Sequence, residues 1–272
     1  TNIGKTHCEL LGSQENIAQA KCELLAHIPS DGVIALNSSD RALIAPWLDT
    51  CKGRIVWYDS TGRDKNAEYR AENIIQHAEG ITYELHAGDH SEKIHLAVHG
   101  VHNVSNSMAA IAIACEVGVD WKSIVSALAQ AKLTGMRLDI TKNADGVTVI
   151  NDAYNANPDS MKSAISVLMN QEGSRKIAVL GDMYELGKYE EQSHREVGNE
   201  AAVQHVDYLI AVGQLGALIG ESAQMAGCRV DFAKDNAEAS ALLRQYIKTG
   251  DAVLVKGSRG MKMEQIVQSL MG

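Results

Sequence analysis

Residues 147–170 read VTVINDAYNANPDSMKSAISVLMN, and this stretch joins an apolar run, a polar loop and a helix that begins at a proline. The run at residues 147–151 predicts a buried strand. Pro158 suits the first position of a helix, where its missing N–H would have no helical partner. The stretch therefore predicts a strand–loop–helix unit, and similar units follow it to the end of the chain.

Strands and helices alternate throughout this second half. Strand candidates lie at residues 147–151, 176–180, 208–212, 229–232 and 252–255, and helical stretches lie near residues 158–170, 190–204, 214–226, 235–248 and 261–271. Such alternation is typical of an α/β domain with a doubly wound, mostly parallel sheet. In sheets of this kind, the loops at the carboxyl ends of the strands carry the chemistry.

The first half has a different pattern, and it predicts a separate domain. Ser13 is a predicted N-cap of a helix that ends near Pro29. Strands are predicted at residues 33–36 and 54–58, a helical segment at 40–49, antiparallel strands within 69–98, and helices at 103–117 and 120–131. The pattern changes after Thr134-Gly135-Met136-Arg137, so we predict two domains, at residues 1–135 and 136–272.

Composition is that of a globular protein. The 272 residues are 45% hydrophobic and 22% charged, and the formal charge of −9 argues against a nucleic-acid or anionic-membrane partner. Five scattered cysteines form no C-x-x-C pair, so we expect reduced thiols in the cytoplasm rather than disulfides or a zinc site. No apolar run approaches the roughly 18 residues that a membrane span needs, so membrane insertion is not expected.

The chain begins TNIGKTHCELLGS, in which Gly4-Lys5-Thr6 has the form of the end of a phosphate-binding P-loop. The glycine that should open that motif would fall before Thr1, and no apolar strand precedes the triplet. Gly12-Ser13 then interrupts the stretch where the helix of a P-loop should continue. We therefore do not expect phosphate binding at this triplet. Because the chain starts with Thr inside structured sequence, we expect it to be a fragment.

Three polar loops follow predicted strands of the second half. They are residues 151–158 (NDAYNANP), 181–187 (GDMYELG) and 256–260 (KGSRG). Each alone is more typical of an ordinary turn, because Asp, Asn and Gly favour turns. Three such loops at equivalent strand ends favour a site instead, and Lys256 and Arg259 suit a carboxylate or phosphate.

Residues 100–106, GVHNVSN, place two amides at helical spacing. Asn103 and Asn106 would share one helix face, and an amide can both donate to and accept from an adenine edge. An N-cap followed by a buried asparagine explains the pattern equally well.

Six motifs together resemble the Mur ligase family. They are HCELLGSQENIAQAKCELL (7–25), GVHNVSN (100–106), TGMRLDI (134–140), NDAYNANPDSM (151–161), GDMYELG (181–187) and VKGSRGMKME (255–264). The most specific motifs, DAYNAN and GDMYELG, are similar to those of members that join D-alanyl-D-alanine to UDP-N-acetylmuramoyl-tripeptide. The resemblance implies a cytoplasmic, monomeric ligase of peptidoglycan precursor synthesis that uses ATP and Mg²⁺.

The resemblance also implies a domain plan. Residues 1–135 would be the C-terminal part of a central ATPase-type domain, and residues 136–272 a complete Rossmann-like C-terminal domain. The family's P-loop lies upstream of the segment that matches residue 1, so Gly4-Lys5-Thr6 is a coincidence. We expect this fragment, without the P-loop and the UDP-binding domain, to be inactive alone.

Individual roles follow from the same resemblance. His7 matches a metal-binding histidine of the family, and Lys21 matches a lysine that is carbamylated in several members. Without the resemblance, the pattern around Lys21 is that of an ordinary helix-surface lysine. The implied nucleotide-binding residues are Asn103 and Asn106 for adenine, Arg137 and Asp152 for phosphate and ribose, and Tyr154. The implied substrate-binding residues form two groups. Asn155 and Asn157, with Tyr154, would line the cleft between the domains. The dipeptide or the acceptor carboxylate would be bound by Asp182, Lys256, Ser258 and Arg259.

Three alternatives stay open. One is a Mur-type or cyanophycin-synthetase-like ligase with a different amino donor. Another is a noncatalytic module that binds a nucleotide or a peptide. The third, a Rossmann dehydrogenase, is disfavoured because no G-x-G-x-x-G follows a predicted strand.

Overall fold

The computed structural model describes residues 1–4, 8–77, 79–132 and 135–272. His7, Lys5 and Thr6 therefore lie outside the described residues. The chain forms two units, Thr1–Lys132 and Leu133–Gly272, and each unit contains its own sheet.

Five strands form the sheet of the N-terminal unit, in the order β1-β2-β3-β4-β5. They are β1 Val33–Asn37, β2 Arg54–Asp59, β3 Tyr69–His77, β4 Gly80–Ala87 and β5 His90–Leu96. β1, β2 and β3 pair in parallel, whereas β3, β4 and β5 pair antiparallel, as predicted for residues 69–98. A β-bulge between Glu72 and Ile75 places Asn73 at φ 52°.

The described helices of this unit are α1 Cys8–Leu11, α2 Gln14–Cys22, α3 Arg41–Ile44, α4 His102–Glu116 and α5 Trp121–Ala129. Ser13 caps α2 as predicted, since its Oγ accepts a hydrogen bond from Asn16 N at 3.2 Å. The helix predicted for residues 40–49 is α-helical only over α3. A 3₁₀-helix, Ala45–Thr50, continues it with Pro46 in its first turn, because proline lacks the N–H that an α-helix would need there.

Six strands form the sheet of the C-terminal unit, in the order β10-β9-β8-β11-β7-β6. They are β6 Asp139–Lys142, β7 Thr148–Asn151, β8 Lys176–Leu180, β9 Tyr208–Val212, β10 Val230–Ala233 and β11 Ala252–Lys256. β7 to β11 pair in parallel, which confirms the doubly wound sheet, and only β6 is antiparallel, on β7. β6 was not predicted from the sequence, and its side chains are mostly exposed at the edge of the sheet.

Helices cover both faces of this second sheet. They are α6 Pro158–Met169, α7 Glu190–Val203, α8 Gly216–Met225, α9 Asn236–Tyr246 and α10 Glu264–Met271. The first three pack their apolar side chains on one face, and the last two pack on the other. The central strands β8, β9 and β11 are almost fully buried, so their loops emerge from a rigid core. Among the described residues, every helix is too short or too polar to span a bilayer.

Candidate functional site

The three polar loops meet at the carboxyl edge of the second sheet. They follow β7, β8 and β11, which are neighbours in the order β8-β11-β7. Lys256, at the end of β11, contacts the loop after β7, and Ser258 contacts the loop after β8. The predicted convergence of these loops is confirmed.

A buried ion pair joins β11 to the loop after β7. Lys256 Nζ lies 2.6 Å from Asp152 Oδ2 and donates to Asn155 O at 2.8 Å. Lys256 is only 2% exposed, and burial lowers its pKa while the Asp152 carboxylate opposes that shift. The other carboxylate oxygen, Asp152 Oδ1, accepts from Leu138 N at 3.0 Å. Both charged groups therefore hold the loop in place.

Asp182 ties the loop after β8 to the start of α8. Its Oδ1 accepts from Leu215 N at 3.0 Å and from Gly216 N at 2.7 Å, so the carboxylate satisfies amides at the positive end of that helix. Gly213 lies directly against it, at φ 90°, and a Cβ there would come within 2.6 Å of Asp182 Oδ1. The position therefore requires glycine.

Ser258 and Tyr184 connect the loops after β11 and β8. Ser258 Oγ accepts from Tyr184 N at 2.8 Å, and Ser258 N donates to Asp182 O at 2.9 Å. The Tyr184 side chain is 40% exposed and lies over Gly260. Tyr184 is absent from the predicted site residues, although it belongs to the GDMYELG motif that indicated the loop.

Several predicted residues keep an exposed surface at this edge. The Arg137 guanidinium lies 4.1 Å from the centre of the Tyr154 ring, and that tyrosine is 42% exposed. Asn155 is also exposed. Arg259 pairs with Glu264 at 2.9 Å. Asn157, by contrast, is the N-cap of α6, with Oδ1 accepting from Ser160 N at 2.9 Å, so its side chain has a structural role.

His194 is a buried member of this region that was not predicted from the sequence. It lies on α7, is fully buried, and its Nε2 accepts from Met183 N at 2.9 Å. Burial lowers the pKa of His194, and the Glu190 carbonyl and the Asp182 carboxylate oppose that shift. No local sequence signal indicates the residue, because the contact depends on how α7 packs against the sheet.

In the N-terminal unit, Asn103 and Asn106 lie together on α4. Asn106 Nδ2 donates to Asn103 Oδ1 at 2.9 Å, and Asn103 Nδ2 donates to His99 O at 2.7 Å. Asn103 is buried, whereas Asn106 is exposed. Neither caps the helix, whose N-cap is Val101, so the N-cap part of that alternative is wrong, whereas the buried asparagine that it expected is present as Asn103. Asn103 thereby holds the exposed amide of Asn106 in place.

Lys21 is exposed on α2, and its Nζ donates to Asn2 O at 2.7 Å. It acts electrostatically on Asp40. Burial raises the pKa of Asp40, and the hydrogen bond from Ile3 N and the charge of Lys21 oppose that shift. A carbamylated lysine and an aspartate would both offer oxygen ligands of the kind Mg²⁺ prefers. The described residues hold no group of three or more His, Cys, Asp or Glu side chains suited to a metal ion, and His7 lies outside them.

Comparison with known proteins identifies the class. Residues 1–114 match the Mur ligase middle domain, and residues 136–259 match the Mur ligase glutamate ligase domain. The chain belongs to the Mur ligase family.

Particular relatives are similar over 99% of the chain. The UDP-N-acetylmuramoyl-tripeptide–D-alanyl-D-alanine ligase of Bacillus subtilis (strain 168) is 35% identical over 273 residues. A crystal structure of MurF from Acinetobacter baumannii is 30% identical with a TM-score of 0.83. MurF ligase from Thermotoga maritima, solved in complex with ADP, shares the fold at 22% identity and a TM-score of 0.79. The chain spans 58% of the length of the Bacillus and Acinetobacter proteins.

Proposed function

We propose that this chain is part of an ATP-dependent ligase that joins D-alanyl-D-alanine to UDP-N-acetylmuramoyl-tripeptide, acting as a cytoplasmic monomer. The most direct support is a relative that is named for this reaction and whose match covers 99% of the chain. The meeting of polar loops after β7, β8 and β11 agrees with it, because ligands of parallel sheets bind at this edge.

Candidate nucleotide-binding residues lie within each unit. Asn106, held by Asn103, offers an amide to the adenine edge. Arg137 lies beside Tyr154 with its guanidinium unpaired by any carboxylate among the described residues, which suits phosphate. At the predicted ribose contact, the ribose would share the Asp152 carboxylate with Lys256, which already binds it.

In the proposed site, Lys21, as a carbamate, and His7 would hold Mg²⁺. When bound, the ion would offset the negative charge that accumulates between ATP and the acceptor carboxylate. Cationic side chains such as Arg137 would contribute to the same stabilisation.

The reaction we propose proceeds through an acyl phosphate. An oxygen of the tripeptide's terminal carboxylate attacks the γ-phosphorus of ATP, and ADP leaves. The free amine of D-alanyl-D-alanine then attacks the carbonyl carbon, the tetrahedral intermediate loses phosphate and a proton, and an amide bond forms.

The contacts at the carboxyl edge suggest that its buried residues and its exposed residues have different roles. Asp182, Lys256 and Ser258 are buried and bind neighbouring loops, so we propose that they shape the dipeptide site. The exposed side chains of Asn155, Tyr184 and Arg259 are the groups that we expect to contact substrate.

The proposal is tested with the complete gene product that contains this chain. ATP, Mg²⁺ and UDP-tripeptide are supplied with D-alanyl-D-alanine or with single amino acids, and phosphate release and product mass are measured. We expect phosphate and the pentapeptide product only with the dipeptide. Turnover with a single amino acid would favour a ligase with another donor, and ligand binding with no turnover would favour a noncatalytic module.

A further inference from the structure

Four successive backbone amides of the loop after β8 are each held by a different partner. Gly181 N donates to Lys256 O at 2.9 Å, Asp182 N to Met261 Sδ at 2.8 Å, Met183 N to His194 Nε2 at 2.9 Å, and Tyr184 N to Ser258 Oγ at 2.8 Å. Three of these partners belong to β11 or the loop that follows it. His194 alone approaches from α7.

The contacts of His194 define its chemical state. A backbone N–H can only donate, so His194 Nε2 must be the unprotonated acceptor for Met183 N. Nδ1 lies 2.7 Å from Glu190 O, a carbonyl that can only accept, so Nδ1 carries the proton. The imidazole is therefore a neutral connector between the first turn of α7 and the loop.

We propose that His194 is a positioning residue for the dipeptide site. Its bond to Met183 fixes the backbone between Asp182, which binds the start of α8, and Tyr184, whose exposed ring lies over Gly260. Without that bond, the amide of Met183 would be buried without an acceptor, and the loop would shift to satisfy it. This inference rests on the proposed function for the identity of the substrate.

Two substitutions separate this role from general packing. His194→Gln keeps an acceptor oxygen near the position of Nε2, so the Met183 bond can re-form. His194→Asn can still donate to the Glu190 carbonyl, but its side chain is too short to reach Met183. His205→Asn is a matched control, because His205 is exposed and asparagine tolerates its φ of 60°.

Steady-state kinetics of the complete gene product provide the test. For His194→Asn we expect the KM for D-alanyl-D-alanine to rise about tenfold, with the KM for ATP unchanged. His194→Gln should stay within about twofold of the wild type, as should His205→Asn. Amide hydrogen exchange at residues 181–187 should accelerate only in His194→Asn.

Two results would overturn the positioning role. One is that His194→Asn melts at a lower temperature while its dipeptide KM and the exchange of residues 181–187 stay at wild-type values. The other is that His194→Gln behaves like His194→Asn in both measurements. If the wild type uses another amino donor, the proposed function fails, whereas amide exchange, which requires no substrate, still decides the role of His194.

Discussion

Lys256→Ala is expected to lower the free energy of unfolding of the C-terminal unit by about 3–5 kcal/mol, the usual cost of breaking a buried ion pair from one side. The substitution leaves the Asp152 carboxylate buried without its cation and the Asn155 carbonyl without its donor. Chemical denaturation monitored by circular dichroism measures the change. We expect ligase activity of the complete gene product to fall with it, since the loop after β7 loses its contacts with the Lys256 side chain of β11.

A matched pair on the surface controls for the loss of a lysine. Lys162 Nζ lies 3.1 Å from Glu196 Oε2, and both side chains are partly exposed. Lys162→Ala should therefore cost less than about 1 kcal/mol. The double variant Lys256→Met with Asp152→Asn removes both charges and should recover part of the lost stability. If Lys256→Ala costs no more than Lys162→Ala, the buried pair does not hold the loop.

Lys21→Ala is expected to abolish most ligase activity with little effect on folding. Partners that merely orient a metal ligand account for about 10–100-fold in activity, so loss of a carbamate ligand should cost about 100-fold or more. Lys21 is exposed and its side chain donates a hydrogen bond to the Asn2 carbonyl, so stability should change by less than about 0.5 kcal/mol. Short carboxylates such as formate or acetate should restore part of the activity.

A spectroscopic measurement tests the carbamate without relying on turnover. In ¹³C-bicarbonate, the wild-type protein should show a carbamate resonance that Lys21→Ala lacks and that Lys52→Ala, at another exposed lysine of the same unit, retains. Near wild-type kcat in Lys21→Ala, or the same resonance in that variant, would rule out the assignment.

The alternation of strands and helices was sufficient to predict the second sheet, because buried parallel strands are continuous apolar runs with polar loops between them. The same rule placed Asp152, Asp182 and Lys256 at one edge. β6 was missed because it reads Asp139-Ile140-Thr141-Lys142 and only its pairing with β7 makes it a strand.

The partners of the site residues could not be predicted from local sequence. Asp182 binds amides of Leu215 and Gly216, which follow a different strand, and His194 reaches Met183 from a helix. These contacts depend on how α7 and α8 pack, which periodicity alone does not determine. Asn103 and Asn106 were predictable as a pair, because their spacing places them on one helix face.

The fate of one oxygen atom tests the proposed ligase chemistry most directly. The complete gene product is incubated with ATP, Mg²⁺, D-alanyl-D-alanine and UDP-tripeptide labelled with ¹⁸O in its terminal carboxylate, and the released phosphate is analysed by mass spectrometry. Each phosphate should carry one ¹⁸O atom, because the carboxylate oxygen that attacks the γ-phosphorus departs with it when the amine forms the peptide bond. Peptide formation with unlabelled phosphate, or label transferred to AMP, would contradict an acyl phosphate ligase.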